Sequence, residues 1–268
     1  MTTENIHFFE HSGFKFAYRE EGEGEPVLLI HGFGSSAWIN WCATGWFRTL
    51  TEAGYRVIAI DNRGHGDSEK SYDPLFYTPQ AMASDSVKLL QHLKISKAHV
   101  MGYSMGARIS AFMSLLYPEY VHSVVFGGLG IGMVTGAGNW EPVAEALLAK
   151  DVSTITNPRG LMFRKFADQT KSDKRALAAC VVKSKQELAE EDVRKIKQPA
   201  LVAVGSLDDI GGEAEPLAAL LPNGKALQIP NRDHMLAVGD KIYKKGVVDF
   251  FLIIPFFNLW LLKAVFFT

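Results

Sequence analysis

A serine lies between two glycines in the run Gly102-Tyr103-Ser104-Met105-Gly106. An apolar strand is predicted directly before this run and a helix directly after it, and this context makes a G-x-S-x-G match informative. The flanking glycines permit a sharp turn that exposes the serine hydroxyl, and the start of the helix supplies unpaired N–H groups. Ser104 is therefore the candidate nucleophile.

A serine hydroxyl is a weak nucleophile at neutral pH, so it needs a base, and the base needs a group that orients it. His234 lies in a loop directly after a predicted strand, at the sheet edge that Ser104 shares, and we predict it as the general base. Asp208 and Asp209 follow another predicted strand. We take Asp208 as the orienting carboxylate, and because adjacent loop side chains tend to point apart, Asp209 is expected to be solvated or to cap the next helix.

The run His31-Gly32-Phe33-Gly34 ends a further predicted strand. Ester cleavage needs hydrogen-bond donors for the oxyanion of the tetrahedral intermediate, and removing one donor typically raises the barrier by about 2.7 to 4 kcal/mol. We predict the backbone N–H groups of Phe33 and Met105 as this oxyanion hole. His31 itself is predicted to be a structural hydrogen-bonding residue.

The elements that must position these residues follow an α/β pattern. Short runs rich in Val, Ile and Leu alternate with segments of helical period, which is typical of βαβ units and a mostly parallel sheet. The predicted strands are residues 6–10, 14–19, 27–30, 56–60, 98–102, 121–126, 200–204 and 226–229. The first two are expected to form an antiparallel hairpin. Helices are predicted at residues 78–93, 105–116 and 213–221 and after His234.

The stretch from Gly127 to Lys197 lies between two predicted strands. It begins with a glycine-rich linker and continues with helical, charge-bearing sequence. It contains no convincing strand. We therefore predict a small helical cap at residues 130–191, inserted into a core made of residues 1–129 and 192–251. Residues 252–268 form an apolar C-terminal tail.

The composition excludes several classes of partner. The 268 residues are 47% hydrophobic and 21% charged, which favours one globular domain with a substantial core. The net charge is -1, and the lysines and arginines are scattered, so nucleic acid is not an expected partner. Cys42 and Cys180 have no metal-ligand or redox spacing, so neither a metal site nor a disulfide framework is expected.

The two chain ends bear on location. The first residues lack the basic and apolar regions of a secretory signal, so a cytoplasmic location is expected. The stretch that begins at Phe250 and ends at Phe267 is almost wholly apolar. Pro255, Asn258 and Lys263 interrupt it, and no uninterrupted part reaches the roughly 20 residues that a membrane span needs. We favour a buried terminal helix or an oligomer contact over membrane association.

Five motifs, in this order, resemble those of the α/β-hydrolase superfamily. They are His31-Gly32-Phe33-Gly34, the loop 61–68, Gly102-Tyr103-Ser104-Met105-Gly106, the turn 205–208 and Arg232-Asp233-His234. The resemblance covers roughly residues 6–251, and the chain order Ser, Asp, His agrees with it. It implies a mostly parallel eight-stranded sheet flanked by helices, a helical cap, a structural role for the loop 63–68, and no cofactor. Among the members, serine carboxylesterases are the most similar.

Ser104 stands where the haloalkane dehalogenase and epoxide hydrolase branches carry an aspartate, which argues against both. We predict a serine hydrolase that cleaves small or medium carboxylic esters through an acyl-enzyme intermediate. Cleavage of lactones, thioesters or carbon–carbon bonds, and perhydrolysis, use the same apparatus and stay open. The predicted apolar pocket consists of Trp38, Trp140, Met133 and Phe163, with Trp41, Trp46, Leu161 and Met162 as further candidates.

Two alternatives belong to other classes. Residues 32–37 fit the pattern G-x-G-x-x-G/A after a strand, and Asp61 could then bind a ribose, as in an NAD-dependent oxidoreductase. Two strands precede the motif, and the bulky Trp38 and Trp41 lie where a helix should pack closely, so this alternative is weak. The other is a ligand-binding protein that keeps the hydrolase fold but turns over slowly.

Overall fold

The computed structural model describes residues 6–254 and residue 256, and all of its strands belong to one sheet. The strands are β1 (His7–His11), β2 (Phe14–Glu21), β3 (Glu25–Ile30), β4 (Tyr55–Ile60), β5 (Ala98–Tyr103), β6 (Val121–Gly127), β7 (Ala200–Gly205) and β8 (Gly224–Ile229). Their order across the sheet is β1-β2-β4-β3-β5-β6-β7-β8. β2 is antiparallel to β1 and to β4, and all the other neighbours are parallel.

The prediction of a mostly parallel eight-stranded sheet is confirmed, and the first two strands form the predicted hairpin. Because β3, β5, β7 and β8 are parallel, the loops after them lie at one edge of the sheet. This edge is where the sequence places all the candidate catalytic residues.

Alternate residues of the central strands pack into two apolar clusters on opposite faces of the sheet. Leu28 and Ile30 of β3 belong to the cluster on one face, and Val27 and Leu29 belong to the other. The period of two follows from the strand geometry, in which successive side chains point to opposite faces. β5 and β7 are buried throughout, and β7 is accordingly apolar along its whole length, while β5 contains the buried His99. Burial on both faces also fixes the register that sets the strand ends.

Helices cover both faces. They are α1 (Trp46–Glu52), α2 (Pro79–His92), α3 (Met105–Leu116), α4 (Gly132–Thr135), α5 (Glu141–Leu148), α6 (Pro158–Gln169), α7 (Lys174–Lys183), α8 (Glu190–Val193), α9 (Ala214–Leu220) and α10 (Lys241–Leu252). Shorter helical turns lie at Trp38–Cys42, Pro74–Tyr77, Pro118–Tyr120, Val152–Thr154 and Ala237–Gly239. The predicted helices correspond to α2, α3, α9 and α10.

Helix α1 has no counterpart among the predicted helices. It has only seven residues, which is too short for a clear helical period. Trp46, Phe47 and Leu50 are nevertheless buried along one face of it, at spacings that a helix brings together. The apolar face of α1 lies in the same cluster as Val27 and Leu29.

Between β6 and β7, the described chain is built of the helices α4 to α8 and contains no strand. We call residues 130–191 the helical segment. Its two longest helices begin at side-chain caps, since Asn157 accepts from the N–H of Gly160 and Asp173 accepts from the N–H of Ala176. Helix α5 packs against α6 and α7. That this segment acts as a cap separate from the core stays a prediction.

The C-terminal tail falls largely outside the described residues, which omit 255 and 257–268. Phe250 and Phe251 are buried core residues of α10, and Phe251 stacks on His99 with ring centroids 4.4 Å apart. Within residues 6–254 and 256, no helix is long and apolar enough to span a membrane.

Candidate active site

Ser104 sits in a strained turn between β5 and α3, with φ 54° and ψ -110°. Such a conformation costs a non-glycine residue about 1 to 3 kcal/mol. The two neighbouring glycines permit it by close packing, because a Cβ on Gly102 would lie 2.1 Å from the Gly106 carbonyl oxygen. A Cβ on Gly106 would lie 1.9 Å from the carbonyl oxygen of Ile30. The turn therefore needs both glycines, and it exposes the serine hydroxyl above the sheet edge.

His234 and Asp208 come to Ser104 from the loops after β8 and β7. The Nε2 atom of His234 lies 3.0 Å from Ser104 Oγ, and its Nδ1 atom lies 2.8 Å from Asp208 Oδ2. Both are hydrogen-bonding distances. The three residues that the sequence analysis singled out are thus brought together in one relay, in which a proton can pass from the serine to the imidazole.

The carboxylate of Asp208 is buried and fully engaged. Its Oδ1 atom accepts from the N–H groups of Ile210, at 2.9 Å, and Gly211, at 2.8 Å, which leaves Oδ2 for the imidazole. Burial by itself raises the pKa of Asp208, but the hydrogen bond and charge of His234 and the two backbone donors outweigh it and lower the pKa. The group is thus held as a carboxylate. Asp209 is exposed to solvent.

Tyr103 fixes the loop that carries His234, and the sequence analysis missed this role. Its hydroxyl donates to the carbonyl oxygen of His234 at 2.7 Å. Burial, with the charge of Asp208 nearby, raises the pKa of Tyr103 well above its usual value, so the phenol keeps its proton. The only sequence signal is its place next to Ser104, which says nothing about a contact with a residue so distant in the chain.

The predicted oxyanion donors are the N–H groups of Phe33, in the turn after β3, and of Met105, at the start of α3. Met105 is the first residue of α3, so its N–H has no partner within the helix. Among the described residues, no group accepts a hydrogen bond from the Phe33 N–H. The turn before Phe33 is held by Asn40, whose Oδ1 atom accepts from the N–H of Gly32 at 2.9 Å. Asn40 is a buried residue that the sequence analysis missed.

His31 is structural, as predicted from its place in the turn. Its Nδ1 atom donates to the Gly32 carbonyl at 2.8 Å, and its Nε2 atom accepts from the N–H of Asn62 at 3.0 Å. Burial lowers the pKa of His31 to about 4, which keeps the ring neutral and lets Nε2 accept. Both ring nitrogens are therefore occupied by backbone groups.

Two cavities meet at Ser104. The larger has a volume of ≈ 190 Å³, the smaller ≈ 40 Å³. The larger cavity is lined by Gly32, Phe33, Ser35, Ile39, Asn40, Thr44, Tyr103, Ser104, Phe163, Phe166, His234, Met235 and Val238. The smaller cavity is lined by Ser104, Met105, Arg108, Leu129, Ala137, Gly138, Trp140, Lys185, Glu187 and Ile210. The imidazole thus faces the larger cavity, and the start of α3 faces the smaller one.

Of the four predicted pocket residues, Phe163 lines the larger cavity and Trp140 the smaller one. Trp38 and Met133 line neither. Trp38 opens the helical turn Trp38–Cys42, where its half-exposed ring faces the guanidinium of Arg19. Met133 is fully buried in the core cluster, with its carbonyl accepting from Arg108.

The further candidates Trp41 and Trp46 are core residues. Both are fully buried, with ring centroids 6.1 Å apart. Leu161 and Met162 are half-buried on α6 and line neither cavity. Apolar side chains of the core and of a pocket have the same composition, so the sequence alone did not separate them.

The loop 61–68 supports the site from behind. Asp61 accepts from the N–H groups of Ala37, at 2.7 Å, and Asp67, at 2.9 Å. Arg63 forms a two-point ion pair with Asp85, with both N···O distances 2.7 Å. The carboxylate of Asp61 is thus engaged by backbone donors rather than free for a ribose, which counts against the oxidoreductase alternative.

Within the part of the chain that the structure describes, no group of three His, Cys, Asp or Glu side chains is arranged to hold a metal ion. Cys42 and Cys180 are free thiols. Burial raises the pKa of Cys180 to about 12, so this thiol stays protonated.

A family model described as "alpha/beta hydrolase fold" matches residues 25–161. The chain belongs to the α/β-hydrolase fold family. Among curated proteins, "Putative non-heme bromoperoxidase BpoC" of Mycobacterium tuberculosis is 30% identical over 243 residues, which cover 82% of this chain and 90% of that protein. Epoxide hydrolase 3 of Siraitia grosvenorii is 34% identical over 114 residues, which cover 42% of this chain and 35% of that protein.

The crystal structure of BpoC from Mycobacterium tuberculosis is similar to this α/β hydrolase along almost the whole chain. The TM-score is 0.76 with 26% identity, and the match covers 93% of this chain and 100% of the other. A hydrolase from Pseudomonas aeruginosa has a TM-score of 0.77 at 24% identity, over 93% of this chain and 99% of that one, and supports the fold alone. Membership of this family supports hydrolase activity, but it does not specify the substrate.

Proposed function

We propose that this α/β hydrolase is a serine esterase that cleaves small or medium carboxylic esters through an acyl-enzyme. The observation that carries the proposal is the relay from Ser104 through His234 to Asp208, with distances of 3.0 and 2.8 Å. It supplies a nucleophile, a base and an orienting carboxylate in the geometry that acyl transfer needs.

The reaction begins when Ser104 Oγ attacks the acyl carbon and gives its proton to His234 Nε2. Asp208 holds the imidazole with Nδ1 protonated and stabilises the imidazolium that forms. His234 then protonates the leaving oxygen, and the alcohol departs from the larger cavity, which the imidazole faces. Water attacks the acyl-enzyme with His234 again as base, which releases the carboxylic acid and restores the serine.

The tetrahedral intermediate carries a negative oxygen that must be stabilised. The N–H groups of Phe33 and Met105 serve as its donors, and the first turn of α3 adds the positive end of a helix dipole. The bond from Gly32 N–H to Asn40 holds the turn before Phe33. Because this arrangement exists before substrate binds, little reorganisation is needed when the charge develops.

A serine at the turn favours acyl transfer over epoxide opening. Attack of Ser104 on an epoxide would give an alkyl ether, which water does not readily cleave, whereas an acylated serine is an ester that water can hydrolyse. The epoxide hydrolase of Siraitia grosvenorii is similar over only 42% of this chain. A cytoplasmic location stays a prediction.

The test is hydrolysis of p-nitrophenyl esters of short and medium chain length, alongside labelling with a fluorophosphonate. The variants are Ser104→Ala and, as a matched control, Ser96→Ala, which changes an exposed serine away from the cavities. We expect activity and label to be lost together in Ser104→Ala and kept in Ser96→Ala. A folded wild-type protein that neither cleaves the esters nor takes the label would contradict the proposal.

A further inference from the structure

Lys185 reaches the smaller cavity from the chain between α7 and α8. It is half-buried, and its Nζ atom lies 3.6 Å from the centroid of the Trp140 ring. The ring of Phe33, next to the proposed oxyanion hole, has its centroid 5.3 Å from the same atom. The two aromatic faces hold the ammonium by cation–π contact beside the cavity that Ser104 shares.

No carboxylate of the described residues lies within ion-pairing distance of Lys185 Nζ, whereas other lysines, such as Lys174 and Lys245, pair with aspartates. The second cation of the smaller cavity, Arg108, also forms no ion pair within the described residues. It donates instead to the carbonyl oxygens of Gly132, Met133 and Gln186. Glu187 is the one acid among the residues that line this cavity, and it is exposed. The cavity therefore has more positive than negative charge.

Burial is the largest cause that lowers the pKa of Lys185, to about 7, and the charges of Arg108 and Arg159 add to it. A charged ammonium in this place lacks a compensating anion. An anionic ligand would restore the pKa and supply the hydrogen-bond acceptors that the aromatic rings do not.

We propose that Lys185 binds a carboxylate at the far end of the substrate's acyl chain, so that the preferred substrates are monoesters of short dicarboxylic acids. This inference rests on the proposed esterase function. His234 lines the larger cavity and must protonate the leaving oxygen, so the alcohol occupies the larger cavity and the acyl chain the smaller one. The small volume of this cavity, ≈ 40 Å³, favours short acyl chains over long ones.

The test compares esters that differ only in a terminal carboxylate or methyl group. Monomethyl glutarate is paired with methyl pentanoate, and monomethyl adipate with methyl hexanoate, with acid release followed by titration at constant pH. The variants are Lys185→Met, Lys185→Arg and the control Lys183→Met, which removes an exposed charge on α7.

We expect kcat/KM of the wild type to be higher for each carboxylate ester than for its neutral partner. Because Lys185 donates a charge-assisted hydrogen bond to the substrate carboxylate in this proposal, we expect the ratio to fall about tenfold or more in Lys185→Met, mainly through a rise in KM. Lys185→Arg should keep part of the preference, and Lys183→Met all of it. Equal losses on both members of a pair, or an unchanged ratio, would overturn the inference.

Calorimetry separates this inference from the proposed function. Binding of monomethyl glutarate is measured in the Ser104→Ala protein with and without Lys185→Met. Binding that weakens about tenfold in the double variant supports the role of Lys185, and equal binding overturns it, whether or not the wild type cleaves esters. Cleavage of neutral esters that depends on Ser104 without any preference for carboxylates would leave the esterase proposal standing and refute the carboxylate site.

Discussion

The loops at the sheet edge and the helical segment build opposite sides of the same site by different means. Ser104, Asp208 and His234 lie in the loops that follow strands, and hydrogen bonds between side chains and backbone groups fix the turns around them. The helical segment contributes Phe163 and Lys185 through side chains that touch other side chains. We therefore expect substitutions in the loops to change the rate of the reaction and substitutions in the helical segment to change the choice of substrate.

The largest effect is expected at the loop carboxylate. In Asp208→Asn the amide no longer holds the imidazole with Nδ1 protonated, so kcat for a p-nitrophenyl ester should fall about 10⁴-fold. Asp209→Asn changes the exposed neighbour and should leave kcat close to that of the wild type. Steady-state kinetics of both variants decide the point. Equal losses, or a larger loss in Asp209→Asn, would show that the orienting carboxylate has been assigned wrongly.

A smaller loss is expected when the oxyanion turn is loosened. Asn40→Ala removes the acceptor for the Gly32 N–H, and a donor displaced by about 1 Å can cost about 10²-fold in kcat. KM should change less than kcat, because the removed hydrogen bond positions an oxyanion donor, even though Asn40 also lines the larger cavity. The matched control is Asn139→Ala, an exposed asparagine of the helical segment. A rise in KM at constant kcat would refute the positioning role.

In the helical segment, a substitution should change selectivity rather than the reaction. Phe163→Ala opens the larger cavity, so the ratio of kcat/KM for esters of bulky and small alcohols should rise about tenfold. The lost ring also lowers the free energy of unfolding, by about 3 kcal/mol. The ratio for Phe163→Leu should lie between those of the wild type and Phe163→Ala. An equal fall in kcat for all esters would mean that Phe163 acts on the reacting groups, and it would contradict the assignment of selectivity to the helical segment.

The smallest effect concerns acid stability. Burial lowers the pKa of His31 from 6.5 to about 4, so below pH 6.5 the unfolded chain binds a proton that the folded protein resists. The stability from neutral His31 is complete above pH 6.5 and is lost as the pH falls towards 4. The free energy of unfolding, taken from melting curves at a series of pH values, should therefore fall less steeply with decreasing pH in His31→Gln than in the wild type. The difference in slope should be at most about 1.4 kcal/mol per pH unit.

The exposed His7 supplies the control: His7→Gln removes a surface histidine and leaves the buried ring of His31 in place, so the decline that His31 causes between pH 6.5 and pH 4 should be retained. If the free energy of unfolding depends on pH in the same way in the wild type and in His31→Gln, the prediction is contradicted.

The sequence predicts the loop side of the site well because its constraints are local. The turn at Ser104 needs glycine on both sides for steric reasons, and alternating apolar strands indicate which loops share an edge. All eight strands and the main flanking helices were predicted for the same reason, whereas the short helix α1 was not. The contacts of Tyr103 and Asn40 have no signature in the local sequence.

The helical segment was less predictable because its contribution depends on packing between distant parts of the chain. Met133 is apolar, as a pocket residue would be, yet it lines neither cavity. Lys185 carries no motif, and in the sequence it is one of many scattered lysines. Its place beside Trp140 and Phe33 depends on tertiary contacts, among them the packing of α5 on α7.

If Ser104 in the loops at the sheet edge forms a covalent acyl-enzyme, that intermediate can be trapped. The protein is mixed with p-nitrophenyl acetate, quenched in acid during turnover, digested and mapped by mass spectrometry. We expect a rapid burst of p-nitrophenol and an acetyl group on the peptide that contains Ser104. Turnover without any acetylated peptide, or with the acetyl group on another residue, would contradict it.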